Sequence, residues 1–108
     1  MKVLTPGHKY EVANFENKEA QGQTIQFIEK VLDNQSEIPG TLRTLNDGTT
    51  NEELIEVLID RISYLQAKFP CKENACAITK LQEANFWLRE RTRLRVAQNV
   101  EGKNLEHK

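Results

Sequence analysis

Arg89, Arg91, Arg93 and Arg95 stand at alternate positions in the last long periodic segment of the chain. Each residue advances an α-helix by about 100°, so Arg89/Arg93 and Arg91/Arg95 form two forks on two different faces. A guanidinium is planar and donates two hydrogen bonds at once to phosphate oxygens, so a small cluster suits a compact phosphorylated anion such as a nucleotide. The same arginines also complement the negative end of a helix and pair with Glu83 or Glu90, a purely structural use. Tyr64, Phe69, Phe86 and Trp87 lie in the same region, and a bound nucleobase is commonly stacked on such a ring. Phe86 and Trp87 are adjacent, diverge by about 100° and cannot both enter one intrachain core. One of them is expected to face a neighbour or a ligand, and core or subunit packing is the competing use for Trp87. Asn74 is placed to cap a helix, and Asn85 either reads a base edge or faces water.

Catalytic chemistry is poorly supplied. His8 lies in an extended start and His107 in the tail, and neither a G-x-S-x-G nucleophile turn nor a G-x-x-x-x-G-K-[ST] phosphate loop is present. Glu52/Glu53 and Glu56/Asp60 have the spacing of caps and solvated helix faces. Cys71 stands at an expected helix start, a place where thiol chemistry is found, but has no accompanying base. Cys71 and Cys76 form a lone C-x4-C pair, too few ligands for zinc, and read as reduced thiols. The expectation is a protein that is not an enzyme and carries no metal or cofactor.

The elements that position these groups follow from pattern. With 108 residues, 38% apolar and 29% charged, the chain reads as one domain with a thin core, the kind that leans on subunit contacts. Residues 1–48 are β-rich: strands are expected from His8 to Phe15 after the Pro6-Gly7 turn, from Thr24 to Lys30, and from Thr41 to Leu45, with Asn46-Asp47-Gly48 as a stop. Residues 49–100 read as a helical hairpin. Thr50 with Glu53, or Thr49 with Glu52, makes a capping box for a helix from about Asn51 to about Lys68. Its stripe is Leu54, Val57, Leu58, Ile62 and Leu65, widened by Ile55 and Ile59 beyond what one partner helix covers. Phe69-Pro70 ends it, and an antiparallel second helix packs through Ala77, Ile78, Leu81, Ala84, Leu88 and Thr92. Residues 101–108 read as a mobile tail. The fold class is therefore α+β: a small N-terminal antiparallel β-sheet followed by a two-helix antiparallel hairpin. The net charge of -1 argues against an overall basic, DNA-binding field. The start lacks an apolar run long enough to translocate or span, so a cytoplasmic location without membrane contact is expected.

The stretch PCKENACAITKLQEANFWL, from Pro70 to Leu88, resembles the helical hairpin of the phage-encoded anti-defence sponges that counter the Thoeris and CBASS immune systems of bacteria. The opening VLTPGHKYEVANFEN and the segment LNDGTTNEEL are similar to the anti-Thoeris branch, so the resemblance spans nearly the whole chain. It implies a non-enzymatic protein in the cytoplasm of the infected host that sequesters glycocyclic ADP-ribose, the product of a TIR-domain enzyme, without degrading it. For some members it also implies uptake of cyclic di- or trinucleotides, in separate pockets of a hexamer built as a trimer of dimers. Assembly as a dimer or such a hexamer is thus implied here, with the ligand between subunits. Carried onto this sequence, the phosphate ligands would be Arg91 and Arg95, or the Arg89/Arg93 fork. The adenine would lie on Tyr64 or Phe69, and Asn74 would supply a polar group near the hairpin turn. The alternative is a small helical regulator that binds nucleic acid through residues 88–96, with a steep salt dependence; a hydrolase of the same nucleotide is a third reading.

Overall fold

A computed structural model describes residues 1–98, in two compact units, Met1–Thr50 and Asn51–Lys108. The expected tail, 101–108, lies outside the described residues.

The first unit holds five strands: β1 (Lys2–Thr5), β2 (Lys9–Val12), β3 (Gln23–Gln26), β4 (Glu29–Leu32) and β5 (Leu42–Asn46). They form an antiparallel sheet in the order β1-β2-β3 and a separate antiparallel pair, β4-β5. Two expectations are corrected and one element is added. The extended start read ahead of the His8 strand contains a strand of its own, β1. A turn in which the His8 amide donates to the Thr5 carbonyl, with Gly7 at a φ of 76°, folds it onto β2; only glycine adopts that backbone region readily. The strand expected to reach Phe15 ends at Val12, because the Asn14 side-chain amide donates to the carbonyls of Asn17 and Gln21 and ties the chain into a loop. The strand expected over Thr24–Lys30 is two strands. At the break Phe27 donates to the His8 carbonyl, while Ile28 donates to Thr49, so the chain passes from one set of partners to another. Tyr10 meets Phe27 edge-on at 6.0 Å.

The second unit is the hairpin α1 (Asn51–Lys68) and α2 (Lys72–Ala97), packed against each other. Glu52 and Glu53 occupy the first turn of α1, where the helix dipole favours negative charge. The N-cap of α2 is Cys71 rather than Asn74. Its backbone is extended and its Sγ accepts from the Asn74 amide at 3.4 Å, which places Asn74 three residues into the helix.

Most of the expected α2 stripe is covered, at Ala77, Ile78, Leu81, Leu88 and Thr92, whereas of the α1 stripe only Leu54 and Ile62 are, together with the widening Ile55 and Ile59. Along α2 the covered positions include Asn74, Ile78, Leu81, Asn85, Leu88, Thr92 and Arg95; along α1 they include Glu52, Ile55, Ile59, Ile62 and Gln66. Steps of three and four alternate in each, the spacing of a coiled-coil seam. A seam that narrow leaves Val57, Leu58 and Leu65 exposed, and Ala84 as well. Asn85, expected to face water or a base, is instead buried, and its Oδ1 has no hydrogen-bond partner. An unsatisfied buried acceptor costs about 1–3 kcal/mol. Asn85→Leu, close in volume, is therefore expected to raise stability by about that amount, read as a higher urea midpoint at fixed protein concentration.

Candidate functional site

The hairpin divides the expected ligand residues into two groups. At the turn, Tyr64 and Phe69 are both exposed, with Lys68 Nζ 5.1 Å from the centre of the Tyr64 ring, and Asn74 is half-buried in the first turns of α2. The arginines lie towards the other end of α2. Asn74 and Arg91 are seventeen residues apart on that helix, about 25 Å at 1.5 Å per residue. Within one hairpin the turn group and the arginine group are thus too far apart for a compact cyclic nucleotide to touch both.

The two arginine forks are not equivalent. Arg89 Nη2 is bonded to Glu56 Oε1 of α1. Arg93 donates twice to Glu90, from Nε at 3.0 Å and from Nη2 at 2.6 Å. Both members of that fork are neutralised by carboxylates. Arg91 is exposed and has no ion-pair partner among the described residues, whereas Arg95 is buried, 7% exposed. The Arg91/Arg95 fork therefore combines one accessible guanidinium with one held in place by its surroundings.

The Arg93 hydrogen bonds hold the Glu90 carboxyl below its ordinary value, against an opposing effect of desolvation, and in turn push Arg93 up. Because the folded value of Glu90 is lowered, the contact stabilises the fold above the ordinary glutamate range and is lost as pH falls through the lowered value. A carboxyl-carbon NMR titration should find the Glu90 midpoint moving up when Arg93 is replaced by alanine.

Two contributors were not singled out from sequence. Glu56 had the look of a solvated face, and its pairing with Arg89 depends on the register between helices. Gln66 had no distinguishing signal, yet it holds the turn: its Oε1 accepts from the Cys71 amide at 2.9 Å and its Nε2 donates to the Cys71 carbonyl at 3.1 Å. A shallow cavity of about 300 Å³ near the end of β4, lined by Leu32, Asp33, Asn34, Gln35 and Arg43, contains none of the expected ligand residues. No helix among the described residues is long and apolar enough to cross a membrane.

A β-rich unit followed in the chain by an antiparallel helical hairpin with a cationic end defines a small α+β class. Residues 24–93, about two-thirds of the chain, match the family "Acb2/Tad1, hairpin domain", and the chain belongs to that family. It is also similar to the protein named Thoeris anti-defense 1 of Bacillus phage SBSphiJ7, with 51% identity over 57 residues. The matched stretch is 52% of this chain and 40% of that relative.

Proposed function

We propose that this protein inhibits Thoeris immunity by capturing glycocyclic ADP-ribose and holding it unaltered, as a sponge and not an enzyme, in the cytoplasm of an infected bacterium. The reading is supported by membership of the hairpin family and by the name of the phage relative. The observation that carries it is the inequality of the forks. Arg89 and Arg93 are taken by Glu56 and Glu90, which leaves Arg91, exposed and without a carboxylate partner among the described residues, to grip phosphate. Bidentate guanidinium contacts and a base stacked on Tyr64 or Phe69 would supply a large share of the roughly -12 kcal/mol of a nanomolar complex. Asn74 would add a polar contact at the turn.

The distance between the two groups along α2 favours a site shared between copies of the chain, the turn of one hairpin meeting the arginines of another. Self-association as a dimer, or as a trimer of dimers, is part of the proposal. A hexamer would also offer room for cyclic di- or trinucleotides in separate pockets. The test is calorimetric titration of the protein with glycocyclic ADP-ribose, followed by heat denaturation and chromatography of the released ligand. Tight binding and recovery of intact nucleotide are expected. No binding would refute capture, and recovery of a cleaved product would make the protein a hydrolase.

A further inference from the structure

We infer that Gln66 is a positioning residue for the turn half of the ligand site, a role that rests on the sponge reading above. The connection between the helices is three residues long, 69–71, and every polar group of its last residue is engaged. The Cys71 amide donates to Gln66 Oε1, and its carbonyl accepts from Gln66 Nε2 and from the Ala75 amide at 3.2 Å. Its Sγ accepts from the Asn74 amide. The Gln66 side chain therefore acts as one rung of a strand ladder, pairing with the Cys71 peptide through a donor and an acceptor at once.

This geometry has a directional consequence. Cys71 is the cap from which α2 starts, so fixing its peptide plane against α1 fixes the rotation of α2 about its own axis at that end. Asn74, whose amide the Cys71 thiol receives, is carried with it. Tyr64 lies two residues before Gln66 on α1, and Phe69 sits inside the clamped connection with its ring exposed. Gln66 thus fixes the connection that carries Phe69 and the start of α2 that carries Asn74 relative to Tyr64 on α1, while standing outside the proposed contact itself. Without the clamp, those groups would have to be ordered at the moment of binding, which weakens the complex.

Gln66→Leu keeps the bulk and removes both hydrogen bonds, while Gln66→Glu keeps the acceptor and removes the donor. The full chain carrying each is titrated with glycocyclic ADP-ribose well below its unfolding midpoint, with circular dichroism and sedimentation as controls for helix content and assembly. Gln66→Leu is expected to weaken binding by about tenfold through faster dissociation, with association, steered by the arginines, unchanged. Gln66→Glu should fall between it and the wild type, and serves alone if Gln66→Leu does not fold. A purely structural glutamine would lower the unfolding midpoint and leave the affinity of the folded protein where it was. Wild-type affinity in folded, assembled variants would overturn the positioning role and leave the sponge reading standing. Failure of the wild type itself to bind would overturn both.

Discussion

Arg91→Ala is expected to weaken capture of glycocyclic ADP-ribose by about 1.5–3 kcal/mol, the range for a hydrogen bond to a charged group, or roughly 10- to 150-fold in Kd. Helix content and assembly should not change, because the Arg91 side chain is exposed and pairs with no carboxylate among the described residues. Arg93→Ala is the matched control two positions away. It removes the Arg93 pair with Glu90, a surface contact that contributes little to the fold, and should leave affinity almost unchanged. Arg89→Ala behaves likewise, its partner being Glu56. Arg91→Lys keeps the charge but loses the planar pair of donors, so it should recover only part of the loss. Arg95→Ala is less diagnostic, since Arg95 is buried and its removal disturbs packing as well as any phosphate contact. Calorimetry on Arg91→Ala, Arg91→Lys, Arg89→Ala and Arg93→Ala checks the pattern. Equal losses in Arg91→Ala and Arg93→Ala would mean that the ion pairs do not decide which fork is available.

The parts of this protein that were legible in sequence are those specified by neighbours. Thr50, Glu52 and Glu53 before an apolar periodic run, and Phe69-Pro70 after it, place the ends of α1 where they are found. The strand break at Phe27–Ile28 was hidden because its cause is distant: His8 and Thr49 supply the partners. The α1 stripe was misread in part for a related reason. Val57, Leu58 and Leu65 are as apolar as Leu54, Ile55, Ile59 and Ile62, and one partner helix covers only part of a stripe that wide. Nothing in the periodicity of α1 alone ranks them. Asn85 looked like a surface residue among apolar ones, yet with Ile78, Leu81, Leu88 and Thr92 it completes the seam spacing of α2. Both arginine forks were visible in the sequence, but the pairing of Arg89 with Glu56 was not, because the two meet only once the helices are in register.

Trp87→Ala is expected to disrupt assembly without unfolding the hairpin. Trp87 is 67% exposed and Phe86 57%, the two rings touching edge-on at 5.3 Å. They are not in the seam, and Val57, Leu58, Tyr64 and Leu65 of α1 are exposed too. Among the described residues only Asn85 and Arg95 count as buried. That is an inverted pattern for a chain that stands alone, since exposed rings of this size are characteristic of interfaces. If Trp87 anchors the contact between copies, its truncation costs about 2–4 kcal/mol, or roughly 30- to 800-fold in the dissociation constant of the assembly. Sedimentation across a concentration series reads this directly, with circular dichroism reporting an unchanged helix signal. Because about 25 Å of α2 separates Asn74 from Arg91, a dissociated hairpin presents only half of the proposed site. Trp87→Ala should then lose ligand capture at low protein concentration and regain it as concentration rises, whereas Arg91→Ala loses it at every concentration. A dissociated Trp87→Ala protein that still binds with full affinity would place the whole ligand site on one chain and remove the reason for joining two.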